Sequence, residues 1–303
     1  MLPTPRRDAP LSYLLKNSLR LQARDTLFLS RYLKEKITSP GASKQLVICN
    51  SYPKSGTHLL YQILYSIPGL KQWDDIVSVQ ALCGIMNTPA HIRWKIGSAP
   101  SQSIVRSHLM YSDEVLNIFS EHRCKLFFIY RDLRDVAVSH ARWVTKEERI
   151  FLHPLYRQLP DFDQQLMHTI EGVPLGSPLG SNLSQPDIGQ DFMRWKGWLS
   201  QADTLAIRFE DLVGERGGGS EDKRLYRVEQ ILDHLGVSVP KNEIETRFSS
   251  RAMNPEESHT YVKGGKGSIG GWQKYFKDSH KQAFKRVAGE LLIDLGYETS
   301  LDW

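Results

Sequence analysis

A strand-like run that passes through a short turn into an amphipathic segment constrains this chain more than any other feature. Residues 46–48 are Leu-Val-Ile, typical of a buried strand, and residues 59–64 have the apolar spacing of a helix. Between them, residues 52–57 are Tyr-Pro-Lys-Ser-Gly-Thr, a turn sequence. The first N–H groups of a helix and its dipole attract anions, and Lys54 adds a positive charge beside them. The pattern therefore predicts a strand, a tight loop and a helix that together bind a phosphate-like group.

The position of the lysine separates this loop from the nucleotide-hydrolysing P-loop. The P-loop motif is Gly-x-x-x-x-Gly-Lys-Ser/Thr, in which the lysine follows the second glycine. Here Lys54 precedes the loop's only glycine, Gly56, and Ser51 stands at the place of the first glycine. The order indicates a phosphate-binding loop of another kind, and an ordinary strand-to-helix turn is the alternative at this point.

The order Tyr-Pro-Lys-Ser-Gly-Thr resembles the 5′-phosphosulfate loop of the cytosolic-type sulfotransferases. Those enzymes use 3′-phosphoadenosine-5′-phosphosulfate (PAPS) as a co-substrate and release 3′,5′-ADP (PAP). The resemblance implies that the loop contacts this co-substrate through Lys54, Ser55, Gly56, Thr57 and His58.

Apolar runs and helical patterns alternate along the chain. Strands are predicted at residues 103–109, 125–130 and 205–209, and helices at 113–120 and from Leu133 onward. Such alternation favours a parallel sheet with helices on its faces. We therefore expect an α/β fold, a single domain with a central parallel sheet flanked by helices and a P-loop-like phosphosulfate-binding loop.

A second basic segment follows the most apolar predicted strand. Residues 130–139 are Tyr-Arg-Asp-Leu-Arg-Asp-Val-Ala-Val-Ser and resemble the sulfotransferase segment that binds the 3′-phosphate of PAPS. The resemblance implies that Arg131 and Ser139 bind that phosphate. A guanidinium can fork onto phosphate oxygens, and a hydroxyl two helical turns on can reach the same anion. The alternative is that Arg131 pairs with Asp132 or Asp135 on a solvated surface.

A glycine-rich basic stretch lies near the C-terminus. Residues 263–272 are Lys-Gly-Gly-Lys-Gly-Ser-Ile-Gly-Gly-Trp and resemble the family's loop that folds over the 3′-phosphate. The resemblance implies contacts from Lys266 and Gly267, because flexible backbone lets N–H groups approach an anion that a lysine neutralises. The chain departs from the family at Gly265, where arginine is usual, and at Gly271, where aspartate is usual.

Two shorter matches, Arg-Phe-Glu-Asp-Leu and Thr-Arg-Phe, resemble family segments near the nucleotide. They imply cofactor contacts from Phe209, Thr246 and Phe248. Leu59 stands where cytosolic members have a tryptophan that stacks on adenine, so we expect Phe248 to do most of the stacking. The matches follow one another in the family's order from about residue 45 to 277.

His108 ends a predicted strand in the sequence Arg-Ser-His-Leu, which resembles the family's Lys-Thr-His-Leu. Taken alone, a histidine at a strand end is more often a structural hydrogen-bonding group, but its titration range also suits a general base. The resemblance implies that His108 takes the acceptor proton and that Ser139 restrains Lys54 until the acceptor arrives. We expect Lys54 to stabilise charge on the leaving oxygen and Arg106 to hold the transferring sulfuryl group.

The rest of the chain suggests two parts, the second of which contains a long loop-like segment. Residues 1–40 are basic, with leucines at helical spacing, and predict an N-terminal helical extension; residues 41–303 would form the sulfotransferase domain. Residues 153–190 are rich in proline and glycine and are too long for an ordinary connection. We expect this segment to be an acceptor-side loop or lid.

The composition limits the kinds of partner that are expected. A net charge of +5 and a pI near 9.0 suit an anionic ligand, and no motif that reads RNA or DNA is present, so no nucleic-acid partner is expected. No metal is expected, because the ten histidines form no His-x-x-x-His or His/Cys cluster. No signal-peptide pattern occurs, and no stretch approaches the roughly 18 apolar residues of a membrane span. We expect a cytoplasmic protein without stable membrane insertion.

The acceptor would be chosen by segments outside the motifs. Acidic residues in the proline-rich segment favour a polar or cationic small molecule, and a tailoring role in bacterial natural-product biosynthesis, over a flat phenol or steroid. These residues are Asp161, Asp163, Glu171 and Asp187. The alternatives to transfer are a P-loop-type nucleotide kinase that uses ATP and magnesium, and a PAP-binding protein without transfer activity. The family's dimer motif is absent from residues 272–290, so no oligomeric state is predicted.

Overall fold

Five parallel strands form the central sheet. They are β1 (Leu46–Ser51), β2 (Lys71–Ser78), β3 (Ser103–His108), β4 (Lys125–Tyr130) and β5 (Thr204–Arg208). In space they follow the order β2-β3-β1-β4-β5, and every neighbouring pair runs parallel. The expected α/β fold with a central parallel sheet is confirmed.

The structure is a computed structural model that describes residues 45–78, 85–86, 88–174, 184–253 and 268–303, together with residues 4–5, 26 and 30. The helices in these ranges are α1 (Thr57–Tyr65), α2 (Pro89–Ser98), α3 (Asp113–Glu121), α4 (Leu133–Lys146), α5 (His153–Gln158), α6 (Phe162–Glu171), α7 (Ile188–Lys196), α8 (Phe209–Leu212), α9 (Glu221–Leu235), α10 (Lys241–Phe248) and α11 (Asp278–Asp294). Short 3₁₀ helices lie at Gly197–Ser200, Glu215–Gly217 and Gly271–Lys274.

Side chains of the inner strands alternate between two apolar cores. In β1, Leu46 and Ile48 belong to the first core, whereas Val47 and Cys49 belong to the second. Helices α2, α3, α4, α6, α7 and α11 contribute to the first core, and α1, α8, α9 and α10 to the second. All of β1 is buried. A central parallel strand that is covered on both faces therefore has a continuous apolar run rather than an alternating one.

Helices occupy much of the segment that the sequence predicts to be an acceptor-side loop or lid. Helices α5 and α6 lie in its first part and α7 begins at Ile188, whereas residues 175–183 are outside the described ranges. The side chains of Asp161 and Asp187 accept hydrogen bonds from the first turns of α6 and α7. Such caps satisfy N–H groups that a helix start leaves open. The segment is more helical than its proline and glycine content indicates, and its acceptor-side role stays a prediction.

The predicted N-terminal extension, residues 1–40, lies almost wholly outside the described residues, and its helix stays a prediction. In the described part of the chain, no helix combines the length and the apolar character that crossing a membrane requires.

A buried asparagine holds the end of β1 to β3. The side chain of Asn50 donates to the Leu109 carbonyl at 3.0 Å, and its oxygen accepts from the Leu109 N–H at 2.8 Å and the Ser107 hydroxyl at 2.9 Å. Asn50 is 3% exposed, so these bonds form where an unsatisfied polar group is costly. They fix the backbone on both sides of His108.

We expect Asn50→Ala to lower the free energy of unfolding by about 2–4 kcal/mol, because the buried Leu109 N–H loses its acceptor and the amide's other bonds are lost. The matched control is Asn242→Ala, an exposed position in α10 where a change within about 0.5 kcal/mol is expected. Urea unfolding of the two variants checks this. Equal stability of the two variants would contradict the role given to Asn50.

Candidate functional site

The predicted anion-binding loop and the predicted base lie at one edge of the sheet. Strands β1, β3 and β4 are neighbours and end at Ser51, His108 and Tyr130. Because the strands are parallel, their carboxyl ends meet at the same edge, which is where open α/β sheets bind ligands. The structure therefore brings together the loop at residues 52–57, His108 and Arg131.

The loop backbone takes left-handed conformations at Lys54 (φ +68°) and Gly56 (φ +102°). A β-carbon on Gly56 would lie 2.5 Å from Cδ2 of Phe209, so both the conformation and the space require glycine. Gly56 immediately precedes α1, whose start has no side-chain cap and no acidic residue in its first turn. The open N–H groups of that turn suit an anion.

Tyr52 fixes the start of the loop. Its backbone N–H donates to the Ile129 carbonyl of β4 at 3.2 Å, and its hydroxyl donates to Asp191 of α7 at 3.1 Å. Its ring meets Phe192 and Trp195 edge to face, each at 5.1 Å between ring centres. The loop is therefore held between the sheet and α7 before any ligand binds.

His108 is bonded to the last residue of β1. Its Nδ1 lies 3.1 Å from the Ser51 carbonyl oxygen and 2.9 Å from the Ser51 hydroxyl, which in turn lies 2.6 Å from the Thr57 hydroxyl. A carbonyl only accepts, so the 3.1 Å contact is a hydrogen bond when Nδ1 carries the proton, and Nε2 then keeps a lone pair. Burial lowers the pKa of His108 to about 4, against the raising effect of the Ser51 carbonyl, and the charges of Lys54 and Arg106 also lower it. At neutral pH the ring is uncharged and can accept a proton.

Lys54 extends toward α4. Its Nζ lies 4.8 Å from the centre of the Trp143 ring, and Trp143 is one helical turn after Ser139. Burial, and then the charge of Lys54, lower the pKa of the neighbouring His140 to about 4. The structure places Lys54 beside the helix that carries Ser139, and a direct contact between the two stays a prediction.

Arg106 shares one face of β3 with His108, two residues on. Its guanidinium packs 4.6 Å from the centre of the Tyr61 ring of α1. Its role in holding the sulfuryl group stays a prediction. His58, the second residue of α1, is exposed.

Arg131 is buried behind the loop. Its guanidinium donates to Asp135 at 3.1 Å and to the Ser268 carbonyl at 2.9 Å, and it lies 4.3 Å from the centre of the Phe209 ring. The pairing with Asp135 occurs inside the protein rather than on a solvated surface, and Asp132 pairs with another arginine. The Nε of Arg131 has no hydrogen-bond partner among the described residues. Arg131 therefore has a donor available for a ligand.

Asp135 is a site residue to which the sequence assigned no role beyond a possible pairing with Arg131. Its two oxygens accept from the backbone N–H groups of Gly270 (3.0 Å) and Trp272 (2.8 Å) as well as from Arg131. Burial raises its pKa, and the charge of Arg131 opposes that rise. Asp135 thus joins the C-terminal segment to the end of β4. Its spacing of four residues from Arg131 is the only local signal of this role.

The Arg-Phe-Glu-Asp-Leu segment supports the same edge of the sheet. Glu210 accepts from the Asp132 N–H at 3.0 Å and from the Tyr297 hydroxyl at 2.8 Å. Phe209 is 1% exposed and lies between Gly56 of the loop and the Arg131 guanidinium. The segment therefore shapes the site, and a direct cofactor contact by Phe209 stays a prediction.

Two residues predicted to contact the cofactor, Thr246 and Phe248, lie on α10. Phe248 is fully buried in the second core, which also contains Leu59 and Phe209, and its stacking on adenine stays a prediction. Thr246 is exposed, and its hydroxyl donates to the Asn242 carbonyl of α10 at 3.3 Å. Lys266 and Gly267 lie outside the described residues.

The prediction of a cationic acceptor rests on four acidic residues. In the structure, each of these carboxylates forms a hydrogen bond or an ion pair with another group of the protein. Asp161 and Asp187 cap α6 and α7. The other two form ion pairs with α11 or the residue before it, namely Asp163 with Lys277 and Glu171 with Arg286. These carboxylates already have partners within the protein, and a cationic acceptor stays a prediction.

The charge at the site is positive, from Lys54, Arg106 and Arg131. Over the described ranges, no group of three or more His, Cys, Asp or Glu side chains is placed to hold a metal ion. The arrangement suits an anionic ligand beside a neutral base.

Comparisons with known proteins agree with the site. A sulfotransferase domain matches residues 44–149, the part that carries the loop, His108 and Arg131. Flavonol 4′-sulfotransferase of Flaveria chlorifolia is 23% identical over 261 residues, which cover 81% of this chain and 78% of the relative. Flavonol 3-sulfotransferase of Flaveria bidentis is 23% identical over 282 residues and covers 81% of each chain. A bacterial branch stays a prediction.

Solved structures share the fold. Mouse sulfotransferase SULT7A1 complexed with PAP has a TM-score of 0.59 and 17% identity, covering 85% of this chain and 88% of that one. Retinol dehydratase in complex with androsterone and inactive cofactor PAP has a TM-score of 0.52 and 15% identity, covering 87% and 85%. The domain match, the related enzymes and the shared fold together support a sulfotransferase enzyme.

Proposed function

We propose that the protein transfers the sulfuryl group of PAPS to a hydroxyl or amine of a small-molecule acceptor and releases 3′,5′-ADP. The observation that carries this proposal is the hydrogen bond that holds the proposed base beside the anion-binding loop. His108 is bonded at 3.1 Å to Ser51, the last residue before the loop that carries Lys54. A neutral base and an anion-binding loop at one strand edge are what sulfuryl transfer to a neutral acceptor requires.

The residues present fit the phosphates of PAPS. The uncapped start of α1 offers N–H groups and a helix dipole, with Lys54 beside them. The buried Nε of Arg131 lacks a partner among the described residues, and a phosphate oxygen would satisfy it. The loop would therefore hold the 5′ end of the nucleotide and Arg131 the 3′-phosphate.

The protein's part in the reaction is positioning, proton removal and charge stabilisation. As the acceptor oxygen forms its bond to sulfur, the bond from sulfur to the leaving phosphate oxygen breaks in line with it. Nε2 of His108 takes the acceptor proton, because Nδ1 already donates to Ser51. Lys54 stabilises the negative charge that develops on the leaving oxygen.

The low pKa of His108 belongs to the ligand-free protein. Two positive neighbours, Lys54 and Arg106, disfavour the imidazolium there. Phosphate groups at the loop would offset those charges and raise the pKa toward the range in which a general base works well. The base is thus expected to strengthen when the nucleotide binds.

The acceptor is best sought among acidic hydroxyls. A phenol-like hydroxyl gives up its proton to an imidazole more readily than an aliphatic alcohol does, so it suits His108 better. The two flavonol sulfotransferases among the relatives support this choice. A cationic acceptor, which the sequence favours, is the second class to test.

Two other functions would use parts of this site. A P-loop-type nucleotide kinase is disfavoured by the order of Lys54 and Gly56. A PAP-binding protein without transfer activity would not need His108 held with Nε2 available, which makes transfer the better proposal.

We expect the protein to bind 3′,5′-ADP without metal, and to bind AMP, ADP and magnesium-ATP at least about tenfold more weakly. Arg131→Met should remove most of the preference for 3′,5′-ADP over AMP, because Arg131 is the proposed ligand of the 3′-phosphate. Arg251→Met, at an exposed ion pair, is the matched control. Calorimetric titration measures the affinities, and a preference for magnesium-ATP would reject sulfuryl transfer.

We expect His108→Ala to lower kcat by about 10²–10⁴-fold while the Kd of 3′,5′-ADP changes less than about threefold. In the wild type, the rate should fall toward acidic pH, because protonated His108 cannot take the acceptor proton; the variant should lack this dependence. His168→Ala, on α6, is the control. Normal turnover of His108→Ala, measured with PAPS and a phenol, would show that the base lies elsewhere.

A further inference from the structure

The hydroxyl of Ser51 has no role in the reaction described above, yet it lies between two groups that do. It is 2.9 Å from Nδ1 of His108 and 2.6 Å from the hydroxyl of Thr57. Ser51 is fully buried. A buried hydroxyl between the base and the first residue of the anion-binding helix is placed to link them.

The direction of the hydrogen bonds follows from the backbone. The Ser51 carbonyl, 3.1 Å from Nδ1, can only accept, so Nδ1–H points toward Ser51 and is shared with its hydroxyl oxygen. With the proton on Nδ1, that oxygen accepts from His108 and can donate its own proton to the Thr57 oxygen. The Thr57 proton is left to donate outward, toward an anion at the start of α1.

We propose that Ser51 is a positioning residue that couples anion binding at Thr57 to the proton affinity of His108. This inference rests on the proposed function for the identity of the anion, which is the 5′-phosphate of PAPS or 3′,5′-ADP. An anion that accepts from Thr57 polarises the chain and makes the Ser51 oxygen a better acceptor for Nδ1–H. The imidazolium is then stabilised, and His108 becomes a stronger base when the nucleotide is bound.

The charged groups that face His108 act in the opposite sense. They are Lys54 of the loop and Arg106 of its own strand, and both disfavour a second positive charge. The bound anion offsets these charges through space whether or not Ser51 is present. The hydrogen bonds through Ser51 add to the rise in the proton affinity of His108 that the anion causes. Substitution of the Ser51 hydroxyl removes this added rise.

Ser51→Ala tests the link without removing the base or the loop, because the backbone carbonyl still orients His108. Ser103→Ala is the matched control, since Ser103 is a buried serine at the other end of β3 whose hydroxyl has no partner among the described residues. Thr57→Val breaks the same chain at its other end. If Ser51→Ala and Thr57→Val interrupt the same run of hydrogen bonds, their effects on kcat should not add in the double variant.

We expect Ser51→Ala to lower kcat about tenfold and to leave the Kd of 3′,5′-ADP within about threefold. The apparent pKa of His108 in the nucleotide complex should be about one unit lower than in the wild type, with the acid limb of the rate profile shifted likewise. Ser103→Ala should match the wild type. Ser51→Thr, which restores a hydroxyl, should recover part of kcat.

Nitrogen-15 spectra of the histidine rings at neutral pH give a readout that does not depend on turnover. We expect His108 of the free wild-type protein to carry its proton on Nδ1. A proton on Nε2, or an unchanged kcat and pH profile in Ser51→Ala, would overturn the inference. Failure of the wild type to bind 3′,5′-ADP would refute the proposed function instead, and the ring spectra would still decide whether Ser51 holds His108.

Discussion

The arrangement of the rest of the site depends on a buried ion pair between Arg131 and Asp135. The two side chains are only 6% and 3% exposed, and charges removed from water are stable only when their remaining donors and acceptors are satisfied. Arg131 uses the Ser268 carbonyl, and Asp135 uses the N–H groups of Gly270 and Trp272. The C-terminal segment is therefore bound to the end of β4 because the ion pair requires its backbone. The Nε–H group of Arg131 has no partner among the described residues and could bind a ligand, so fold and binding share the residue.

The loop depends on a different constraint, a left-handed backbone at Lys54 and Gly56. A non-glycine residue in that conformation is strained and persists only when its surroundings fix it. Tyr52 fixes the start of the loop against β4 and α7, and the Phe209 ring fills the space beside Gly56. Because Phe209 also contacts Arg131, one aromatic ring joins the anion-binding loop to the buried ion pair.

The sequence predicts the elements that a local residue pattern marks. It does not predict features that depend on contacts between residues far apart in the sequence. Strands β1, β3 and β4 are buried on both faces and have strong apolar runs, whereas the edge strand β2 begins with the exposed Lys71 and Gln72 and has no clear run. Asp135 binds Trp272, which is 137 residues away, and no local pattern predicts that contact. Motif resemblance marked the position of Phe248 but did not show that its ring faces the core.

The two residues at the end of β1 show that the placement of His108 depends on the register between β1 and β3. Side chains alternate across a strand, so Asn50 and Ser51 point to opposite faces of the sheet. Asn50 pairs with Ser107 in the register of β1 and β3, and its amide holds the backbone on both sides of His108. Ser51 meets the imidazole on the other face. A slip of one residue would exchange the faces, leave the amide without its partners and separate the base from the loop. The buried amide that stabilises the register therefore also places the proton acceptor beside the anion.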